Sequence, residues 1–150
     1  MFDRLPKRSR FVELPCACAN LRRAARTVTK LYEDQLRDTG LRATQFTLLQ
    51  ALDIAGTITQ GDLGELLALD STTLTRSLKP LLGQGWVRSL AGKDRRERHF
   101  ELTAAGRQEL DRAQPQWDRA QQRLRKVLGD NGWERLQAEL VRVTAAAQRA

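Results

Sequence analysis

The chain has few of the residues on which enzyme sites depend. Its 150 residues include one histidine, His99, one tyrosine and two cysteines. It contains neither the glycine-rich loop that cradles phosphates nor the G-x-S-x-G turn that presents a catalytic serine. The pair Gly83-x-Gly85 is typical of a helix end and not of a nucleotide site. We therefore predict that the protein is not an enzyme.

Long apolar runs are also missing. No run approaches the roughly 20 residues that span a bilayer, and no apolar stretch follows the basic N-terminus MFDRLPKRSRF, as a secretory signal would require. Cys16 and Cys18 are only two positions apart, which is a poor basis for a disulfide framework. We therefore expect a soluble protein of the reducing cytoplasm, with no membrane partner and no required cofactor.

What the chain has in excess is positive charge. Lys and Arg outnumber Asp and Glu by 26 to 18, and the net charge is +8. The excess is concentrated, because residues 71–98 hold seven basic and two acidic side chains, a net charge of +5. Residues 57–70, in contrast, hold three acidic side chains and no basic one. A local basic patch of this kind favours nucleic acid as the partner.

Apolar residues recur at helical spacing along the first third of the chain. Residues 1–15 are predicted to form a basic, extended arm. A first helix is expected to begin at Cys16 and to end near Gly40. Thr44 is predicted to cap a second helix, which ends by Gly56.

Two short helices are predicted in the centre of the chain, with Thr59 and Asp70 as their N-caps. Pro80 is expected to kink the last turn of the second of these helices, because it removes an amide hydrogen. The inward faces are predicted to carry the leucines of each helix: Leu63, Leu66 and Leu67 in the first, and Leu74, Leu78, Leu81 and Leu82 in the second.

A hairpin and a long helical region are predicted to follow. Trp86–Leu90 and Glu97–Leu102 are typical of two strands. Thr103 is expected to cap a long helix containing Pro115, and a last helix follows residues 129–132. The fold class is thus mainly α with a small β-hairpin. Residues 16–40 and 104–150 are predicted to form a helical dimerisation region, and residues 41–103 to form a DNA-binding region.

The helix that begins at Ser71 carries the side chains that reading a major groove requires: short hydroxyls, methyl groups and a long planar donor. The residues predicted to face bases are Ser71, Thr72, Thr73, Thr75 and Arg76. Lys79 is predicted to bind phosphate. Arg95 and Arg96, at the tip of the hairpin, are predicted to enter the minor groove, where the potential is most negative. Asp94 is predicted to orient an arginine through a charge-assisted hydrogen bond.

The central segment resembles the winged helix-turn-helix of the MarR (multiple antibiotic resistance regulator) family of bacterial transcription factors. The residues that carry the resemblance are GLRATQFTLLQAL, LDSTTLTRSLKPL, GWV and KDRRERHFELTAAG. The resemblance implies a single domain of this type, forming a homodimer through its terminal helices. It implies binding to a pseudo-palindromic double-stranded DNA operator whose half-sites lie about one helical turn apart. It also implies a repressor that a small molecule or an oxidant releases.

The resemblance extends to a peroxide-sensing branch of the family, because Cys18 lies fourteen positions before Tyr32. In that branch, tyrosines hold the reactive cysteine as a thiolate. Three hypotheses for the cysteines stay open. Cys18 is a redox sensor, Cys16 and Cys18 together form a soft-metal site, or both are inert small side chains. His99 lies too far along the chain to be assumed a ligand.

Two further predictions concern binding. The effector cleft that such regulators use is expected between the dimer helices and the DNA-binding region, lined by parts of the first, second and fifth helices. The alternative function is a non-specific architectural DNA-binding protein of the same fold, which would bind mainly through phosphate contacts.

Overall fold

The structure of the chain, a computed structural model, describes residues 11–94 and 97–150. It is mainly helical with one small antiparallel sheet, as the sequence predicted. The elements in chain order are α1 (Ala17–Leu36), a 3-10 turn (Arg37–Thr39), α2 (Ala43–Ala55), β1 (Ile58–Thr59), α3 (Gln60–Leu67), α4 (Ser71–Gly83), β2 (Val87–Ala91), β3 (Arg98–Leu102) and α5 (Ala104–Arg149).

The junction between α1 and α2 differs from the prediction that Thr44 caps the second helix. Gly40 adopts a left-handed conformation (φ +77°) and ends the 3-10 turn, and Arg42 is the N-cap residue of α2. The carboxylate of Glu33 on α1 accepts a hydrogen bond from the amide of Ala43 (2.9 Å). Because a neighbouring helix supplies the acceptor, α2 needs no hydroxyl cap of its own, and Thr44 lies within its first turn.

The sheet has the strand order β1-β3-β2. Val87 of β2 lies opposite Leu102 of β3, and Ile58 of β1 lies opposite Phe100. The two predicted hairpin strands are confirmed, with boundaries shifted by one residue. The strand β1 was not predicted, because two residues are too few to show an alternating pattern.

One core is formed where α1, α2, α4, the sheet and α5 meet. Leu66 and Leu82 were predicted to face inward, and both predictions are wrong. The exposed fraction of Leu66 is 58%, and that of Leu82 is 37%. The helix α4 runs continuously through Pro80 to Gly83. The largest fully buried side chains are Phe46, Leu36, Leu49, Leu52, Leu63, Leu74, Leu78 and Leu81.

The start of α5 is fixed against the end of α4 and the start of β2. The hydroxyl of Thr103 accepts a hydrogen bond from the amide of Gly106 (3.0 Å), so Thr103 caps the helix as predicted. The same hydroxyl donates to the carbonyl of Gly85 (2.7 Å). A methyl group at Gly106 would lie 2.0 Å from the carbonyl oxygen of Trp86, so only glycine fits there.

The helix α5 has two arms, because the backbone of Gly129 (φ +71°, ψ 164°) is not helical. The predicted separation of a last helix is therefore confirmed at Gly129. Pro115 lies inside the first arm without ending it. Within the described residues, no helix combines the length and apolar character needed to cross a bilayer.

Candidate nucleic-acid interface

The helix α4 is held at its N-terminus by Asp70. The Asp70 carboxylate accepts the amide hydrogen of Thr73 (2.8 Å) and the hydroxyl hydrogen of the same residue (2.6 Å). The hydroxyl hydrogen bond, followed by the amide, lowers the pKa of Asp70 below its ordinary value. The predicted cap is thus confirmed, and the first turn of α4 has one defined conformation.

The turn between α3 and α4 is tight. Ala68 adopts a left-handed conformation (φ +51°) at the end of α3. A methyl group at Gly64 would lie 3.0 Å from the carbonyl oxygen of Leu69 and 3.7 Å from the Leu74 side chain. The missing side chain at Gly64 therefore lets the two helices approach closely, which fixes the direction in which α4 projects.

The face of α4 away from the core is polar and exposed. Leu74, Leu78 and Leu81 are buried beneath it. The predicted contact residues that the structure brings together on the exposed face are Ser71, Thr72, Thr75, Arg76 and Lys79. This face offers three hydroxyls, a guanidinium and an ammonium within about two helical turns, a spacing that matches a major groove.

Thr73 has a different position from the other predicted contact residues. It is only partly exposed, its hydroxyl donates to Asp70, and its side chain lines an apolar cavity. Thr73 thus holds the first turn of α4 and does not share the exposed face.

A residue that the sequence did not single out completes the exposed face. Gln60, the first residue of α3, donates through Nε2 to the hydroxyl of Thr75 (3.0 Å) and to that of Ser71 (3.4 Å). No local pattern could have identified it, because these contacts span 11 and 15 residues and depend on how α3 and α4 cross.

In the segment that joins β2 to β3, the described residues 92–94 and 97 are hydrogen-bonded to one another. The amide of Gly92 donates to the carbonyl of Glu97 (2.9 Å), and the amide of Glu97 donates to the carbonyl of Asp94 (3.0 Å). The predicted minor-groove residues Arg95 and Arg96 lie outside the described residues. Their predicted interaction with Asp94, which is itself exposed, remains a prediction.

The base of the hairpin is joined to β1 by a polar cluster. Glu101 accepts a hydrogen bond from the hydroxyl of Thr57 (2.7 Å) and forms an ion pair with Arg88. These contacts, with Thr57 first, lower the pKa of Glu101. The Arg88 side chain is 64% exposed, and its charge is offset by the carboxylate of Glu101.

An apolar cavity of about 450 Å³ lies between the terminal helices and the central region. The Trp117 ring stacks on Phe46 (4.2 Å between centroids) and packs against Tyr32 (4.4 Å). Burial raises the pKa of Tyr32, whose hydroxyl donates to Gln121 (2.7 Å). The lining residues carry hydroxyl and apolar groups and no formal charge: Val28, Thr29, Tyr32, Ala43, Thr44, Thr47, Leu48, Leu67, Leu69, Thr73, Ser77 and Trp117. The three helices predicted to line the cavity, α1, α2 and α5, therefore contribute residues to it, and α3 and α4 contribute residues as well.

The two cysteines lie at the start of α1, and both are exposed and unpaired. The Cys16 sulfur accepts the amide hydrogen of Ala19 (3.5 Å), so Cys16 is the N-cap of the helix. Cys18 and Tyr32 lie on one continuous helix, about 21 Å apart at 1.5 Å per residue. Tyr32 therefore does not reach Cys18 of its own chain. Across residues 11–94 and 97–150, no three side chains of the His, Cys, Asp or Glu type converge as metal ligands.

Comparisons with known proteins agree with this geometry. The sequence profile of the MarR family matches residues 41–97. The chain is 36% identical to the M. tuberculosis transcriptional regulator MosR, whose crystal structure was determined in complex with DNA. The match covers 89% of this chain and 97% of MosR, with a TM-score of 0.81. A mutant of E. coli MarR, crystallised with operator DNA, is 26% identical over 84% of this chain and 91% of that one, with a TM-score of 0.76.

A similarity of sequence alone links the chain to the Bacillus subtilis protein described as the uncharacterised HTH-type transcriptional regulator YwoH. The identity is 34% over 83 residues, which is 55% of this chain and 61% of that protein. The chain therefore matches less than two thirds of this curated relative, whereas it matches nearly all of MosR. The match to MosR over 89% of this chain and 97% of that one, together with the family profile, shows that the chain belongs to the MarR family.

Proposed function

We propose that the protein is a dimeric, sequence-specific DNA-binding transcriptional regulator, acting as a repressor. The observation that carries the proposal is the exposed polar face of α4, on which Ser71, Thr72, Thr75 and Arg76 lie together above a buried leucine stripe. Hydroxyl and guanidinium groups at the start of a helix are suited to base edges in the major groove. The DNA complexes of MosR and of E. coli MarR support this function.

Charge supports the same surface. Lys79 is exposed one turn beyond Thr75 and is suited to phosphate. Arg95 and Arg96 stand in the sequence between β2 and β3. We propose that the two tip arginines enter the minor groove and that Asp94 orients one of them.

Exposed apolar residues on the terminal segments support a homodimer. Val127 and Val141 on α5 are 84% and 70% exposed, and Leu21 on α1 is 39% exposed. Large apolar side chains exposed along the same helices are typical of a surface that a second copy covers. A two-fold dimer would present two copies of α4 to successive major grooves, and its operator would be a pseudo-palindrome.

A titration separates this function from non-specific architectural binding. Full-length protein is first used to select duplexes from a random DNA library. The dissociation constants of the selected duplex and of a scrambled duplex are then compared at several salt concentrations. The proposal predicts a preference of about 10³-fold or more for the selected duplex. Equal affinities with a steep salt dependence would support the architectural alternative.

We propose that the cavity is the effector site and that its ligand is uncharged and largely apolar. None of the described lining residues could neutralise a buried charge, and an unpaired charge in such a cavity is costly. The hydroxyls of Thr47, Thr73 and Ser77 can orient a ligand that carries a hydrogen-bonding group. Because Thr73 belongs to both the cavity and α4, a ligand there would alter the position of the reading helix.

Cysteine oxidation is the second candidate signal. Cys16 and Cys18 are accessible, and Cys16 caps α1, so modification of either would change the start of that helix. A role for Tyr32 in holding a thiolate would require the partner subunit in a dimer, since about 21 Å separates it from Cys18 in one chain. DNA release by peroxide, and separately by a thiophilic metal, is measured for wild type, Cys16→Ser and Cys18→Ser. Unchanged peroxide release in both variants would remove the redox proposal.

A further inference from the structure

We infer that Gln60 is a specificity-determining residue, which acts by setting the hydrogen-bonding direction of two hydroxyls on the reading helix. The inference rests on the proposed DNA-binding function. Gln60 is the first residue of α3, yet its Nε2 donates to Thr75 Oγ1 (3.0 Å) and Ser71 Oγ (3.4 Å) on α4. It thus holds two predicted base-contacting groups from behind.

The chemistry of the amide makes this contact directional. An amide nitrogen carries two hydrogens and accepts none, whereas a hydroxyl carries one hydrogen and can also accept. When Gln60 donates to both hydroxyls, each oxygen accepts and keeps its own hydrogen for another partner. The hydroxyls of Ser71 and Thr75 are therefore set as donors toward whatever contacts α4.

Three other helical threonines show a different arrangement, in which the hydroxyl hydrogen is used within the helix. The hydroxyls of Thr27, Thr47 and Thr144 each donate to the carbonyl four residues earlier in their helix, at 2.9 to 3.0 Å. The Thr75 hydroxyl donates to no group among the described residues. Its hydrogen is thus not consumed by the helix backbone, and the side chain is exposed.

The direction has a consequence for base reading. A hydroxyl that donates prefers base edges that accept, which in the major groove are N7 of purines, O6 of guanine and O4 of thymine. It favours these groups over the amino groups of adenine and cytosine, because the hydroxyl hydrogen is available while one lone pair of the oxygen is already used by Gln60. Gln60 thereby selects an acceptor at the base position that Thr75 contacts, even where Gln60 itself touches no base.

The N-terminal caps of α3 and α4 do not depend on Gln60. Thr59 caps α3 through the amide of Asp62 (3.0 Å), and Asp70 caps α4. A carboxylate at the first position of a helix is favourable, so Gln60→Glu is compatible with folding. The same substitution replaces the donor with acceptors, which reverses the direction of both hydroxyl hydrogen bonds.

The experiment is selection from a random duplex library with the full-length wild type, Gln60→Ala, Gln60→Glu and the control Gln84→Glu, followed by titration of single-base variants of the selected site. Gln84 is exposed at the C-terminal end of α4, the opposite end from Ser71, so it reports an added negative charge on the same helix. Gln60→Ala should reduce discrimination at one position of each half-site by about tenfold, within the range for one base contact. Gln60→Glu should exchange the preferred base there for one that presents an amino group.

Two results would overturn the inference. In the first, Gln60→Ala and Gln60→Glu weaken every duplex by the same factor, and in the second both retain the wild-type base preferences. Either result would make Gln60 a structural or purely electrostatic residue. If the wild type itself selects no sequence, the proposed function fails, and the inference fails with it.

Discussion

Thr73 donates its hydroxyl hydrogen to the carboxylate of Asp70 (2.6 Å) while its side chain lines the apolar cavity. One residue therefore joins the cavity to the first turn of the helix proposed to read DNA. A ligand that displaces Thr73 would weaken the cap and the position of the reading helix together.

The cap at Asp70 should contribute stability that depends on pH. Its pKa is lowered in the folded state, so the contribution is present above the unfolded value of about 3.9 and is lost as the pH falls through the folded pKa. Asp70→Ala should lower the Tm at pH 7. Asp70→Asn keeps a good cap without a titrating group, so it should retain most of the Tm and reduce the acid dependence. Thermal unfolding between pH 2 and pH 7 measures both, and identical curves for the three proteins would contradict the assignment.

Gly106 should be essential for the contact between α5 and the end of the helix-turn-helix. Gly106→Ala places a methyl group 2.0 Å from the Trp86 carbonyl and should destabilise the fold by about 2–3 kcal/mol. The control is Gly83→Ala, where nothing lies within 4 Å of the added methyl group and the change should cost nothing. Urea unfolding gives both free energies. A cost at Gly83 equal to that at Gly106 would show that the steric contact is not the cause.

The cavity should discriminate by ligand charge. N-Phenyl-1-naphthylamine is neutral, and its 8-sulfonate has the same rings with an anionic group. The neutral compound should bind about tenfold more tightly, because the lining offers no cation to the sulfonate. Thr47→Phe fills part of the cavity and should weaken the neutral compound selectively. Fluorescence titration measures the dissociation constants of both compounds for the wild type and for Thr47→Phe. If the sulfonate binds the wild type more tightly than the neutral compound, and Thr47→Phe abolishes this binding, the site contains a cation.

The dimer surface should be sensitive at Val127. Val127 is 84% exposed in the single chain. If a second copy of the chain covers this residue, the charge introduced by Val127→Asp should increase the dimer dissociation constant by about 10²-fold. Ile54→Asp is a matched control, since Ile54 is 82% exposed but lies at the end of α2. Sedimentation measures both. Equal effects of the two changes, or none at Val127, would argue against a dimer through the terminal helices.

The parts of the fold that were predictable from sequence depend on short-range signals. Each of three helix caps accepts a hydrogen bond from the amide three residues later in the chain, a contact that the local sequence specifies. These caps are Thr59, Asp70 and Thr103. The leucine spacing of α4 likewise identifies its buried face, except at Leu82, which lies at the edge of that face.

The parts that were not predictable depend on contacts between distant segments. Glu33 replaces the expected cap of α2 from ten residues away, and β1 exists only because Ile58 meets Phe100. Gln60 reaches Thr75 because Gly64 allows α3 and α4 to approach. Exposure of Leu66 follows from the same approach, since α3 contacts α4 through the opposite face.

The most direct test of base reading by α4 is a comparison of the base-preference profile of Arg76→Ala with that of Lys79→Ala. Both side chains are exposed basic groups on one face of α4. If α4 reads bases, Arg76→Ala should relax discrimination at one position of each half-site at a cost of about 1–3 kcal/mol. Lys79→Ala should instead weaken all duplexes alike and reduce the salt slope by about 1. Uniform weakening by both substitutions, with the profile unchanged, would contradict sequence-specific reading by this helix.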